Sequence, residues 1–554
     1  MISTKLCQKI ALFGLLSLMA GCVSVVPQKN SDDIEQASQK NSENSLIAPA
    51  ILRVDIDFLV ANIIAIHPEP FSIISEKSFR QNAEIIKRSI RYPLSRSEFY
   101  LRLAPLVASL GDIHSQVELP KHLQNIYRIK NGHTSPSEKR PENNLSKLFP
   151  LAVLYEEQAF YVAADLSANP SIPTGAAITT INGAPIEFLL QVMKRLVVKE
   201  TETGQRRRIQ VDFPWLLAVM GYASENYQIE YLWNNQHYSR EISGITPYSE
   251  KAADSGKEPV VDKNDEKKEP SKMAKYDSNQ LAKPQPSFYG FSQLNSQTAL
   301  LWFNDFKEDP QVFKNYINQK FKQLKSRGVG NLIIDVRYND GGLSQNIKTL
   351  IAHLIEKDVF WSQNGEIAIS NPLKTLHQQK TKQRRINKYR WGLQWLPLEW
   401  TDALQYEISW GDIGEKIEVQ FAAIEPADSQ SHRNIIILTN GFCYSACSSF
   451  VAAANYYSFA ATMGETAGSF AQVQYAYPLQ LKMPHSQLEL TLPTMKLMFS
   501  SEQSDRKTIM RQKSSLIEPK FVIHRTQAQI SARQDALLNA ALTKLNSSAS
   551  NQAH

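Results

Sequence analysis

The sequence predicts an α/β protein built on a parallel sheet, and two observations predict it. First, in the second half of the chain, short apolar runs at Ala299–Phe303, Leu332–Val336 and Ile435–Leu438 alternate with helical patterns at Val312–Lys325 and Ile347–Ile355. Strands alternating with helices indicate a parallel sheet covered on both faces. Second, Leu332–Val336 and Ile435–Leu438 each lead into a glycine-bearing turn. Ligands of such sheets bind beyond the carboxyl ends of the strands, which directs attention to those turns. Composition agrees with a folded chain: 42% hydrophobic and 21% charged residues exclude wholesale disorder. With 22 glycines and 27 prolines in 554 residues, collagen-like and low-complexity classes are excluded too. The formal charge of +7 comes without a long block of like charge, so no nucleic-acid partner is expected. Four cysteines are too few for a disulfide framework.

At the amino terminus, Lys5 and Lys9 flank the start of an apolar run of eleven residues, Ile10–Ala20. The run is too short to span a bilayer as a helix but suits a secretory signal. It ends in Met19-Ala20-Gly21-Cys22, which resembles the lipobox of bacterial lipoproteins, with Met19 where Leu is usual. The resemblance implies a signal peptide over 1–21, acylation of Cys22 and a lipid tether over 22–49. Val23 stands where an Asp would favour inner-membrane retention, so an outer-membrane anchor facing the periplasm is expected.

Residues 50–145 are expected to form a helical segment. Phe99, Leu101, Leu103, Leu106 and Leu110 share a three-to-four spacing, Ser95 is placed to cap that helix, and Pro68 and Pro70 interrupt an earlier one. Residues 146–248 read as a small β-rich domain, with strands at Leu151–Tyr155, Phe160–Ala163, Ala177–Ile181 and Tyr227–Trp233 and one apolar helix at Ile186–Val197. Residues 249–286 read as a flexible linker: eight acids and eight bases lie between Glu250 and Lys283, with few apolar side chains to bury. The α/β domain then occupies 287–530, and 531–554 is expected to be a C-terminal tail. Within it, 374–395 is a basic stretch with Trp391 and Trp395, read as a solvated insertion with an aromatic foot in the core.

The first glycine-bearing turn is Asp335-Val336-Arg337-Tyr338-Asn339-Asp340-Gly341-Gly342. Paired glycines let a backbone approach a ligand and leave N–H groups free to point at it. The second is Thr439-Asn440-Gly441-Phe442-Cys443-Tyr444-Ser445-Ala446. A serine there stands at the start of a helix, where it either caps the helix or exposes a nucleophilic hydroxyl. The N–H of Ala446 could then stabilise an oxyanion. Cys443 and Cys447 are read either as a local disulfide or as two small buried thiols. No second Cys/His pair has ligand spacing, so no zinc site is expected.

Together these turns, followed by Gly464-Glu465-Thr466-Ala467-Gly468, resemble the S41 peptidases, the tail-specific or carboxyl-terminal processing protease family. Three further stretches extend the resemblance. Gly111-Asp112-Ile113-His114-Ser115 resembles the family's Gly-Asp-Gly-His-Thr, and Gly175–Gly183 resembles a motif of its PDZ-like domain. Leu516-Ile517-Glu518-Pro519-Lys520 echoes its terminal Gly-Ile-x-Pro-Asp, with Leu and Lys as departures. The resemblance implies a crotonase-like (ClpP/crotonase) catalytic core, a helical N-terminal segment and a PDZ-like domain. It implies a serine endopeptidase acting on periplasmic or envelope proteins, with Ser445 as nucleophile and the N–H groups of Ala446 and of Gly341 or Gly342 as oxyanion hole. One branch of the family pairs the serine with a Lys shortly after the Gly-Glu turn. Here Ser469-Phe470 stand in that place and the next Lys is Lys482. The tricorn-like branch uses a His from the helical segment, which implies His114; an imidazole with pKa of about 6.5 suits a general base. The family's orienting Glu has no counterpart in Met510-Arg511-Gln512-Lys513, so Glu502, Asp505 and Glu465 stand as candidates for the third group. The alternative is a non-catalytic peptide-binding lipoprotein on the same fold.

Overall fold

The structure, a computed structural model, describes residues 45–118, 147–245, 289–359, 364–375, 378, 408–427, 433–499 and 516–551. The expected signal peptide over 1–21, Cys22, the expected linker over 249–286 and most of the basic stretch 374–395 lie outside the described residues.

Three helices open the described chain: α1 (Pro49–Ile66), α2 (Glu76–Ser89) and α3 (Arg96–Ala108). α1 stops because Pro68 follows: the ring of a proline disfavours helical geometry in the residue before it, and His67 is extended at φ −66°, ψ 127°. α3 starts where the sequence indicates. The Ser95 side chain accepts from the N–H of Glu98, and the Glu98 side chain accepts from the N–H of Ser95, a reciprocal cap worth about 1 kcal/mol. The turn after α3 contains Gly111 at φ 66°, where an added Cβ would lie 2.3 Å from Ile73 Cδ1. The chain then enters β1 (Gln116–Val117).

A six-stranded antiparallel sheet follows. It comprises β2 (Leu151–Glu156), β3 (Ala159–Asp165), β4 (Ala177–Ile181), β5 (Ala184–Pro185), β6 (Asn226–Trp233) and β7 (Gln236–Ser243), in the order β2-β3-β4-β6-β7 with β5 on β4. Two helices, not the expected one, interrupt it: α4 (Ile186–Leu196) and α5 (Glu202–Leu217). The sequence hides α5 because it buries polar side chains, among them Gln205, Arg207, Gln210 and Asp212, and so lacks a clean apolar stripe.

The parallel sheet takes its strands from β8 (Tyr289–Gln293), β9 (Thr298–Phe303), β10 (Asn331–Asp335), β13 (Asn434–Thr439), β14 (Ala461–Gly464) and β17 (Phe521–Val522), in the order β17-β14-β13-β10-β9-β8. Only β8 runs antiparallel to its neighbour. Its helices are α6 (Pro310–Ser326), α7 (Ser344–Ala352) and α8 (Ala446–Tyr457). Phe313, Ile317, Phe321, Ile347, Leu350 and Phe450 from these helices share one core with Leu301, Leu332, Ile334 and Ile437 from the strands. A third, antiparallel sheet joins β1 to β11 (Asn364–Ala368), β12 (Lys416–Gln420), β15 (Val473–Lys482) and β16 (Glu489–Met498). Through the β1–β16 pairing, Gln116 opposite Thr491, the helical segment is stitched onto the second half of the chain.

Of the segment 531–554, expected to be a tail, residues 531–551 are instead structural. After the short α9 (Gln527–Ser531), helix α10 (Ala536–Asn551) covers the second face of the parallel sheet. Leu538, Ala541 and Leu545 pack on Leu300, Ile333, Ile436 and Leu438. The strands of a two-sided sheet need a cover on each face, and this helix supplies one. Asp535, just ahead of it, closes a buried bidentate ion pair with Arg337 at 2.7 and 2.8 Å.

Burial acts to raise the Asp535 pKa, but the Arg337 guanidinium prevails and holds it down at about 2. An Asp in the unfolded chain titrates near about 3.9. A depressed folded value means the pair stabilises above the unfolded pKa and loses that contribution as pH falls toward the folded one. Asp535→Asn should therefore lower the urea midpoint at neutral pH, and the gap to wild type should close between about pH 4 and pH 2. A gap that does not narrow over that interval would remove this account.

Candidate active site

The carboxyl ends of β10 and β13 bring the two glycine-bearing turns together. Ser445 sits between β13 and α8 with φ 52° and ψ −123°, outside the regions an L-residue prefers. Such backbone strain persists only where its surroundings over-determine it. Here Tyr444 N–H donates to Asn339 O (3.1 Å), Gly468 N–H to Cys443 O (2.9 Å) and Ser445 N–H to Ser469 Oγ (3.3 Å). Cys443 and Cys447, both fully buried, are joined by a disulfide with their Cα atoms 5.2 Å apart, which closes a loop around the serine.

His114 reaches Ser445 from the turn after α3. Its Nε2 lies 3.1 Å from Ser445 Oγ, across 331 residues of sequence. The structure thus brings the two residues together at hydrogen-bond distance. Lys482 is elsewhere: it ends β15 opposite Glu489 and does not line the cleft. Ser469, standing where the resemblance would place a lysine, is buried against the serine turn.

The expected oxyanion donors differ from one another. Gly341 N–H is already given to Asn339 Oδ1 at 2.8 Å, and the residue packs so closely that a Cβ would lie 2.9 Å from Ser445 Cβ. Gly341 therefore serves close approach rather than donation. The N–H groups of Gly342 and Ala446 make no hydrogen bond among the described residues, and both residues line the cleft. An N–H at the first turn of a helix carries part of the helix's positive end.

Of the three acids expected as candidates for the third group, one, Glu465, lies among the described residues. Glu502 and Asp505 lie outside the described residues. Glu465 is engaged with other partners: Arg207 Nε and Arg206 Nη2 each donate to it at 2.8 Å, and Gly441 N–H faces it at 3.4 Å. Burial raises its pKa, yet the two arginines prevail and bring it down to about 2. It fastens the serine turn to α5, alongside Tyr444 Oη donating to Gly204 O (2.5 Å) and Thr203 Oγ1 donating to Thr466 O (2.9 Å).

The carboxylate beside His114 is Asp112. Its Oδ1 accepts the His114 backbone N–H at 3.2 Å and lies 3.7 Å from the ring Nδ1, a buried atom with no hydrogen bond of its own among the described residues. Its Oδ2 accepts from Ser115 Oγ at 2.7 Å and faces His67 Nε2 at 3.3 Å. Desolvation is the largest influence and raises the Asp112 pKa, but His114 and His67 together more than offset it and hold the group well below the usual carboxylate range. The signal was present in Gly111-Asp112-Ile113-His114, where the acid sits two residues from the histidine.

Ser445 and His114 open onto a cleft of about 980 Å³ whose walls include Leu196, Leu216, Lys348, Phe421 and Tyr477. Among the described residues no group of three or more His, Cys, Asp or Glu side chains is arranged to hold a metal.

Comparison with known proteins bears on the family of the second half of the chain and on its fold. None of the curated proteins matches the chain. Among solved structures, mature CPAF is similar at TM-score 0.57 and 12% identity, over 88% of this chain and 94% of that one. Mature CPAF complexed with lactacystin is similar at TM-score 0.59 and 12% identity, over 88% and 96%. At such identity the likeness is one of fold. The sequence model of peptidase family S41 matches residues 297–511, the stretch that carries Ser445 and both turns. The chain carries a peptidase family S41 domain.

Proposed function

We propose that the chain is a serine endopeptidase acting on proteins of the cell envelope, with Ser445 as nucleophile and His114 as general base. The observation that carries the reading is the 3.1 Å contact between His114 Nε2 and Ser445 Oγ at the mouth of a cleft large enough for a peptide. A serine hydroxyl is scarcely nucleophilic at neutral pH and needs such a base. Asp112 favours the tautomer with the proton on Nδ1, which leaves Nε2 to accept from Ser445. The 3.7 Å separation shortens as the imidazolium forms, since such contacts are often long before substrate binds. Ser445 Oγ adds to the peptide carbonyl, its proton passes to His114, and the oxyanion is met by the N–H groups of Ala446 and Gly342. His114 then protonates the leaving amine, and water, activated by the same imidazole, releases the acyl group. On this reading the six-stranded antiparallel sheet is taken as the PDZ-like domain and the parallel sheet as part of the crotonase-like core.

A serine-directed fluorophosphonate should label the wild-type protein and leave Ser445→Ala unlabelled; absence of labelling would instead favour a non-catalytic peptide-binding protein. Ser445→Ala and His114→Ala should each cost more than the roughly 10²–10⁴-fold expected of proton transfer alone, and the double variant should be about as inactive as either. Lys482→Ala should stay within about two- to three-fold of wild type, since the residue is outside the cleft. Asp112→Asn should lower kcat on the order of 10²–10⁴-fold, because the amide no longer selects the working tautomer. Near-wild-type activity in His114→Ala would remove the assignment of the base.

The anchor rests on the lipobox-like Met19-Ala20-Gly21-Cys22. Cys22→Ser should leave the protein unprocessed or release it from the membrane fraction; fractionation and migration like wild type would end the lipoprotein reading.

A further inference from the structure

We propose that His67, a residue given no role by the reading above, is a positioning residue for the Ser445–His114 pair and acts through the carboxylate of Asp112. The inference rests on that reading of the pair. His67 closes α1, and Pro68 forces it out of helical geometry, so its ring leaves the helix and turns into the protein, where its side chain is 1% exposed. There it stands edge-on to Tyr475, ring centroids 4.6 Å apart.

The tautomer of this ring is set by its neighbours. Glu69 backbone N–H donates to His67 Nδ1 at 3.0 Å. A ring nitrogen that accepts carries no proton, so in the neutral ring the proton is on Nε2. That nitrogen lies 3.3 Å from Asp112 Oδ2, and among the described residues it makes no hydrogen bond, so Asp112 is the acceptor within its reach. The Glu69 loop is itself held: its carboxylate accepts from Tyr475 Oη at 2.9 Å and pairs with Lys496 Nζ at 2.9 Å. Those partners engage it, and the acid opposite His67 Nε2 is Asp112.

The two oxygens of Asp112 are thereby assigned to different partners. His67 and Ser115 converge on Oδ2, while Oδ1 is left to the backbone and ring of His114. A carboxylate turns readily about its Cβ–Cγ bond unless one oxygen is pinned. Pinned at Oδ2, it presents Oδ1 to His114 and remains ionised in a buried place. Packing against Tyr475 would require only a ring. The N–H directed at Nδ1 and the acid opposite Nε2 have no part in packing.

Three substitutions separate these roles. His67→Phe keeps a ring on Tyr475 and removes both nitrogens. His67→Asn keeps an acceptor near Glu69 N–H but is too short to reach Asp112. His67→Gln can reach Asp112 with an N–H. With the full-length protein and a peptide substrate, His67→Phe and His67→Asn should lower kcat about 10- to 100-fold, the range seen when outer partners of a working imidazole are lost. KM should stay within about two-fold, and His67→Gln should recover most of the rate. In an Asp112→Asn background the same changes should have no further effect, because they act only through that carboxylate. If His67→Phe fails to fold, the Asn and Gln variants carry the comparison alone. Equal losses in Gln and Asn, an unchanged kcat in both, or the same proportional loss in the Asp112→Asn background would each overturn the proposal. Fluorophosphonate labelling of the wild type is the control: if it labels at Ser445, a negative result concerns His67 and not the reading of the site.

Discussion

The contact between His114 and Ser445 is the constraint on which the rest depends. The two residues are 331 positions apart, on segments that share no sheet strand with one another. Hydrogen bonds of this kind contribute only about 0.5–1.5 kcal/mol net, too little to gather two halves of a chain. The gathering is done by packing. α1, α2 and α3 share a core with Leu479, Met483, Leu488, Leu490 and Leu492 on the β15–β16 hairpin, and β1 adds its edge to β16. The histidine is thus delivered by a hydrophobic seam, and the polar contact uses the position that the seam provides.

The buried charges near the site have a complementary task. Glu465, Arg207 and Glu156 form one cluster, in which Arg207 Nη2 donates to Glu156 at 2.6 Å; Asp335, Arg337 and Asp535 form another. Removing one partner of such a cluster leaves an uncompensated charge and costs about 3–5 kcal/mol. Each cluster ties a glycine-bearing turn to a separate element, α5 for Glu465 and the entry to α10 for Arg337. These ties fix the turns without occupying the N–H groups of Gly342 and Ala446.

Those features were unequally legible in the sequence. The parallel sheet was plain because β9, β10 and β13 are buried on both faces and their sequences are continuous apolar runs. Ser445 and His114 were legible through the short stretches around them. Asp112 was in view, but its role depends on a turn in which Gly111 takes a positive φ and folds the acid back onto a residue two positions on. No periodicity records that. Glu465 drew attention as an acid in the right motif, and its engagement by Arg206 and Arg207 depends on α5, whose buried polar face concealed it. The carboxyl-terminal segment misled for a different reason: its apolar residues are diluted by Asn, Thr, Lys and Ser, and the sheet face they cover is assembled from strands far away in sequence.

The placement of α10 also bears on when the protein becomes competent. The face of the parallel sheet formed by Leu300, Ile333, Ile436 and Leu438 is closed by Leu538, Ala541 and Leu545, and Arg337 finds Asp535 beside them. During synthesis the strands behind Ser445 emerge well before their cover. Until residues 535–545 have left the ribosome, that face is wet, Arg337 lacks Asp535, and the turn bearing Gly341 and Gly342 is held at one end only. Loop closure over such separations makes the final docking a late event. A nascent chain would therefore keep the turns around Ser445 incompletely held until residues 535–545 have emerged and docked.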